Sequence, residues 1–367
     1  MIHMNHILHK LILLLLDHLG INAIFRWINR NKSLLLCYHG ICSDNFDLLR
    51  NYDERQISES IFRKQLRFLT QKGYFFVTLT EFLKFRMQQN HPRKMVVLTF
   101  DDGFRNIVER AYPIMLDYGA KGIFSIVSDL IGTPQILWTD HIETVLRNEK
   151  SGYFDFNFRG KTISYPLHTT KSLHTAMWDI KRKLRTLTNE ERISHLKQFN
   201  DMIQNIPVEF KLADWDQICS LDKNILEIGC HTATHANCTT LVKENHIKYE
   251  LLYSKRKIEN KIGYKVNHFC YPAGSFDDNV VSKIKEFGYK SATTCLCGFN
   301  TSNTDAFLLK RVTSHEDILL WKAQVSGSFY CISDILTLVK KRIRFCISVL
   351  FDKERNTDNE MVNVSPS

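Results

Sequence analysis

The segment Met95–Asn106, MVVLTFDDGFRN, runs six apolar or β-branched residues into two adjacent carboxylates, a glycine and an aromatic. The run has strand length and reads as a buried strand. It delivers Asp101 and Asp102 to the rim of a core, where two charges need a cation or a catalytic task.

Outward from this strand the chain alternates short apolar runs with helical patterns. Upstream, Ser33–Tyr38 (SLLLCY) is a strand that ends in His39-Gly40, and Ser58–Thr70 has helical spacing through Ile61, Leu66 and Leu69 before Gly73 stops it. Tyr74–Thr78 then reads as a strand and Glu81–Gln88 as a short helix. Downstream, Ile107–Tyr118 predicts a helix stopped at Gly119, and Gly122–Val127 a strand. From Gly132 to about Asp216 the rhythm fails, and a segment with Trp138, Trp178 and a basic helical stretch, Lys171–Lys197, reads as a helical insertion. Regularity returns in strands at Ile225–Gly229, Val266–Tyr271 and Tyr289–Thr294, separated by helices at Tyr249–Ile262 and Asn279–Phe287. This alternation indicates an α/β fold with a parallel sheet of about seven strands, either a barrel or a doubly wound sheet. Chemistry is then expected at the strand C-termini. The absence of GxGxxG and of a Walker A sequence argues against a nucleotide-binding sheet.

Partners for the two aspartates stand in Glu227–His235, EIGCHTATH. His231 and His235 are four residues apart, which on a helical turn would point both imidazoles at one cation. With a carboxylate from another strand they make a facial set of three and leave open positions, as a catalytic metal requires and a closed structural zinc does not. The two carboxylates are expected to divide their labour, one binding the cation and its neighbour taking the proton of an attacking water. The chain lacks HExxH, against the common metalloprotease reading, and lacks GxSxG, against a serine nucleophile. A third strand end, His268–Asp278 (HFCYPAGSFDD), puts Pro272 and Gly274 in a tight turn whose backbone N–H groups can face an oxyanion. Tyr271 and Pro272 are candidates to line a sugar groove, and Tyr271 is equally a candidate for the core.

The motifs LTFDDGF, HTATH and YPAG, in that order and spacing, resemble the polysaccharide deacetylase family, carbohydrate esterase family 4, over roughly Leu34–Thr313. The resemblance implies a distorted (β/α) barrel of seven or eight strands. It implies removal of N-acetyl or O-acetyl groups from glycans with zinc, or alternatively cobalt or manganese. It assigns Asp101 as catalytic base, Asp102, His231 and His235 as metal ligands, and the backbone N–H of Ala273 as an oxyanion donor. Two departures stand out. The arginine that orients the base in the family's third motif is Cys270 here, so Arg311 in LLKRV is the candidate substitute. The late motif that supplies a general acid reads LKRVTSHED, which makes His315 one candidate acid. His39, in YHGI, is another and also a candidate substrate contact.

The remaining sequence bounds location and partners. The N-terminal arm, residues 1–33, holds the apolar core Leu11–Leu16, interrupted by Lys10, Asp17 and Arg26, and is too short to span a bilayer. It reads as an amphipathic helix for a membrane surface, as a helix capping the core, or as an uncleaved export signal. The barrel is expected over 34–330, followed by a basic amphipathic helix and disordered tail over 331–367. Ten irregularly spaced cysteines suit a reducing compartment, so a cytoplasmic or membrane-peripheral location is expected, with export left open. A net charge of +10 suits an acidic partner, yet the basic residues lack the aromatic interleaving of a nucleic-acid module. The expected partners are an acetylated glycan and a membrane surface. The leading reading is therefore an N-deacetylase of a polysaccharide or sugar intermediate; an O-acetyl esterase and a catalytically degenerate glycan-binding barrel are the alternatives.

Overall fold

In a computed structural model, which describes residues 6–46, 55–88, 92–202 and 206–332, seven strands form a closed parallel ring in sequence order. They are β1 (Leu34–Tyr38), β2 (Met95–Phe100), β3 (Gly122–Ile126), β4 (Leu226–Cys230), β5 (His268–Cys270), β6 (Ser291–Cys297) and β7 (Leu309–Thr313). Each pairs with the next, and β7 returns to β1 through Leu36↔Val312. Closure removes both sheet edges and resolves the choice between barrel and open sheet in favour of the barrel. Every residue of β1, β2 and β3 is buried, because one face fills the barrel and the other meets helices. The short strand Phe75–Phe76 is additional and pairs with the start of β2, next to the edge that β3 takes from Leu98 onward. Gly122 permits that approach: a Cβ there would lie 2.1 Å from the Leu98 carbonyl oxygen.

Helices follow from the sequence patterns. Glu59–Gln71 buries Phe62, Leu66 and Leu69, three positions of one face. Tyr112–Tyr118 ends at Gly119 in the left-handed conformation (φ 58°) expected of a C-terminal glycine.

The stretch between β3 and β4 holds its own core, and it is not wholly helical. Helices Trp138–Asn148, Thr170–Arg185 and Asn189–Leu196 accompany an antiparallel hairpin, Tyr153–Phe158 with Lys161–Pro166. The signal is period-2 alternation in YFDFNF, whose Phe154 and Phe156 are buried between exposed neighbours. Arg159 and Gly160, both at positive φ, make the two-residue turn. Trp138, Ile142, Phe154, Phe156, Met177 and Phe199 share one apolar cluster.

By contact the chain groups into two units, Arg30–Ile318 and a smaller one of 1–29 with 319–367. Residues 319–330, which the sequence reading ran on with the barrel, thus fall with the N-terminal helices, because Leu319, Leu320 and Ala323 join the apolar cluster of Leu13 and Leu16. The expected C-terminal helix and tail lie, from residue 333 on, outside the described residues.

Candidate active site

The ends of β2 and β4 meet at the C-terminal mouth of the barrel. Asp101 leaves β2 with its N–H donated to the Tyr38 carbonyl at 3.1 Å, and Asp102 then takes a left-handed conformation (φ 78°) that aims the second carboxylate elsewhere. After β4, the N–H of His231 bonds the Ile126 carbonyl at 2.9 Å. Asp102 Oδ1 lies 3.4 Å from Nε2 of His231 and 3.4 Å from Nε2 of His235. One ligand atom from each of the three falls within 4.8 Å of the others. The sequence expectation that a helical turn aligns the two imidazoles is corrected. Residues 231–235 are irregular, with Thr232 and His235 at φ 66° and 57°, and these left-handed kinks do the aligning.

The donor chemistry fits a cation. Nδ1 of His231 stands 2.8 Å from the Cys270 carbonyl, an acceptor only, so Nδ1 carries the hydrogen. Nε2 then faces the Asp102 carboxylate; burial opposes charge on this ring, but Cys270, Asp102 and Asp101 raise its pKa well above the ordinary histidine value, so the space between Nε2 and Asp102 is built for a positive charge, whether a proton or a cation. Burial opposes charge on Asp102, but the hydrogen bond with His231 and the nearby His235 and His39 outweigh it and hold the carboxyl well below its usual range. Burial pushes His235 down to about 3, which keeps that ring neutral and able to ligate.

Asp101 has a separate set of neighbours. Arg311 Nη1 donates to both its oxygens, at 2.9 and 2.8 Å, and the two side chains are each 3% exposed. The same guanidinium donates through Nε to the Thr294 carbonyl at 2.8 Å and through Nη1 to Thr99 Oγ1 at 3.2 Å, which fixes its plane. Burial raises the Asp101 carboxyl; Arg311, then His231 and His39, override it and hold it below the ordinary range. Position 270, where the resemblance implies an arginine, is occupied by a buried cysteine, and Arg311 reaches Asp101 from β7.

The other expected residues divide. His39, partly buried at the end of β1, joins Cys37 and Asp101 in one cluster of ligand-type atoms, and burial lowers its pKa against the pull of Asp102 and Asp101. Ala273 lies in the turn after β5 at φ 52°. Tyr271 is corrected: it is fully buried, packs on Phe269 and Phe276, and donates its hydroxyl to the Phe307 carbonyl at 3.2 Å, so it belongs to the core. Pro272 is buried with it and offers no groove surface. His315 is held through its carbonyl, which accepts from Gln65 Nε2 at 2.9 Å, and the imidazoles that act on Asp101 are His231 and His39.

Sequence reasoning missed a second layer. Arg55 sits between Asp102, 3.6 Å from its Oδ2, and the fully buried Asp140, which it bonds. Glu250 accepts from the N–H groups of Ala233 and Thr234 at 2.9 and 3.0 Å and from Thr234 Oγ1 at 2.7 Å. Trp138 Nε1 and Arg192 Nη1 both donate to the His235 carbonyl, at 3.2 and 3.3 Å. Three of these residues, Asp140, Trp138 and Arg192, come from the stretch between β3 and β4, so that stretch braces the histidine loop. Its one legible signal was LWTDHIE, where an acid among apolar helix residues has no solvent face.

A parallel seven-stranded barrel with an Asp-His-His cluster and an adjacent arginine-held carboxylate defines the class, and comparison with known proteins gives the family. The polysaccharide deacetylase profile matches residues 88–206 and 201–292, more than half of the chain. The chain belongs to the polysaccharide deacetylase family. A poly-β-1,6-N-acetyl-D-glucosamine N-deacetylase of Staphylococcus aureus is 28% identical over 151 residues, covering 38% of this chain and 50% of that protein. The chain thus spans about half the length of the S. aureus relatives it matches. The S. epidermidis protein of the same name is 22% identical over 220 residues, with 54% and 72% covered. Among solved structures, the Streptococcus pyogenes deacetylase PplD in complex with acetate aligns at TM-score 0.51 and 16% identity, covering 78% of this chain and 94% of that one. IcaB from Ammonifex degensii aligns at 0.51 and 17%, with 81% and 97% covered. Both likenesses are of fold.

Proposed function

We propose that this protein is a divalent-metal hydrolase that removes N-acetyl groups from a β-linked N-acetylglucosamine polymer of the cell envelope. The observation that carries the reading is the pairing of two sites within one barrel mouth: Asp102, His231 and His235 around a common space, and Asp101 held by Arg311 beside them. The curated relatives' printed activity supports the choice of polymer.

Asp102, His231 and His235 hold the metal, for which zinc is our choice over cobalt or manganese. When bound, such an ion polarises the acetyl carbonyl and makes water a better nucleophile near neutral pH. Asp101 accepts the proton of the attacking water, a task for which its low proton affinity keeps it ionised at the start. Arg311 fixes the direction of that carboxylate. The N–H of Ala273, on a turn joined to the His231 ring through Cys270, is assigned to the developing oxyanion. His39, in one cluster with Asp101, is assigned to pass the proton taken from water to the departing amine; burial lowers its pKa, so the ring starts neutral and gives that proton up readily. A cavity of about 580 Å³ lined in part by Trp138, His141, Arg192 and Thr234 adjoins the His235 loop and is assigned to neighbouring sugars of the chain. Arg311 on Asp101 supports catalysis over the degenerate binding barrel by answering one of its two grounds, the arginine missing at position 270; the other was the absence of an evident general acid.

The test is acetate release from poly-β-1,6-N-acetylglucosamine oligomers with added zinc, followed by mass spectrometry of the product, for wild type and Asp101→Asn. Metal content after dialysis is measured in parallel for His231→Ala and His235→Ala. Activity confined to wild type and stoichiometric zinc lost from both histidine variants are expected. An Asp101→Asn protein as active as wild type removes the assigned base, and oligomer binding by wild type without any acetate release supports the binding barrel.

A further inference from the structure

The smaller unit has an apolar core and leaves a second apolar stripe on its outside. Its two helices, His6–His18 and Ile21–Ile28, bend by 70° at their junction. On the buried side stands Asn22, 1% exposed, whose amide bonds Asp17 Oδ1 at 3.2 Å and accepts from the hydroxyls of Ser326 and Ser328 at 3.2 and 2.6 Å. On the outer side stand Leu11 (50% exposed), Leu15 (47%) and Leu19 (66%), then Ile24 (57%), Trp27 (63%) and Ile28 (53%). Packing of the unit does not call for these residues, since Leu13 and Leu16 already fill the cluster around Ala323. An apolar stripe left outside a unit whose core is already filled is matched to a non-aqueous neighbour.

We infer that this stripe seats in the interface of an anionic lipid bilayer. Charge selects that occupant over a second copy of the chain. Within the two helices, Lys10 and Arg26 stand against Asp17 alone, and Asp17 is paired with Lys322 at 2.7 Å. A cationic segment repels its own copy and attracts acidic headgroups. Trp27 has the side chain favoured at headgroup depth. Among the described residues no single helix is long and apolar enough to cross a membrane; the two helices have the length and composition of a span only together, and their 70° bend, with Lys10 and Arg26 along them, assigns the pair to the surface.

The experiment floats the full-length protein with vesicles of phosphatidylcholine alone and of an equal mixture with phosphatidylglycerol. Binding to the mixed vesicles, released by salt, and little binding to phosphatidylcholine are expected. A double variant, Ile24→Ser with Trp27→Ser, lowers the bound ratio by roughly tenfold or more. Lys10→Glu lowers it by roughly fivefold on the mixed vesicles and not at all on phosphatidylcholine. All the altered side chains lie at the surface, so far-ultraviolet circular dichroism and melting temperature remain those of wild type. His235→Ala binds vesicles as wild type does, which separates this inference from the proposed activity. It is overturned if wild type does not float, if the serine variant floats equally well, if binding ignores lipid charge, or if sedimentation equilibrium reveals a dimer that the serine variant dissolves.

Discussion

Replacing Arg311 separates a base that is oriented from one that is merely buried. Its Nη1 lies 2.8 Å from Asp101 Oδ2, with both side chains 3% exposed. At that separation and an effective dielectric constant of about 20, the Coulomb attraction is on the order of 5 kcal/mol. Removing one partner of such a buried pair costs ~3–5 kcal/mol of stability, a large part of the ~5–15 kcal/mol of an ordinary domain. The catalytic effect has a definite sign. Arg311 holds the Asp101 carboxyl below its usual range against burial, so its loss lets burial raise the proton affinity of the base. The acid limb of kcat/KM should therefore move to higher pH in Arg311→Gln, with a fall at neutral pH of ~10²–10⁴. KM should change little, because the residue touches Asp101 and not the glycan. Arg311→Lys keeps the charge but loses the planar fork, so it should keep the wild-type limb with a reduced kcat. The assay is acetate release from N-acetylglucosamine oligomers across pH, on proteins whose melting curves establish that they are folded. A folded Arg311→Gln whose acid limb coincides with wild type would falsify the assignment of Arg311 to the base.

Two further outcomes are expected. His39→Gln should lower kcat by ~10²–10⁴ while His315→Gln stays near wild type; the reverse order would move the acid to the segment after β7. Burial raises the Asp140 pKa to about 6, against Arg55 and Lys181, from an ordinary value of ~3.9. A raised folded-state pKa contributes stability that is complete below the unfolded value and lost as pH rises through the folded one. Wild type should thus lose on the order of 3 kcal/mol between about pH 4 and 6 from this group. Asp140→Asn should be flatter over that window in urea titrations, and parallel profiles would contradict the burial argument.

The fold was legible because parallel barrel strands are buried on both faces and so appear as short unbroken apolar runs such as SLLLCY and MVVLTF. The cluster of Asp102, His231 and His235 was legible because its residues sit directly at the ends of β2 and β4. Arg311 was reachable only by elimination, since nothing in LLKRV says that its side chain crosses the barrel interior to β2. Its position and that of His39 fall outside the matched 88–292 stretch, on the two strands, β7 and β1, whose pairing closes the ring. The hairpin was hidden because an aromatic alternation of six residues was absorbed into a stretch read as helical. Arg55, Glu250 and Arg192 act through three-dimensional juxtaposition alone, with no spacing that marks them. Tyr271 failed in the opposite direction, as an aromatic beside a motif that turned out to serve the core.

Backbone strain ties these layers together. Six non-glycine residues among those described have positive φ, and four of them, Asp102, Thr232, His235 and Ala273, lie in the site. Each such conformation costs on the order of 1–3 kcal/mol and persists only where its surroundings over-determine it. For the histidine loop those surroundings are identifiable: Glu250 takes the N–H groups of Ala233 and Thr234, while Trp138 and Arg192 take the carbonyl of His235. Two of the three clamps therefore depend on the stretch between β3 and β4, which has its own core and no role in closing the barrel. On that division of labour, changes in the intervening stretch are compatible with the cluster only while these clamps are kept. The stretch is free to shape a sugar groove, but it must keep presenting donors to the His235 carbonyl, or the strained loop relaxes and the second imidazole leaves the cluster.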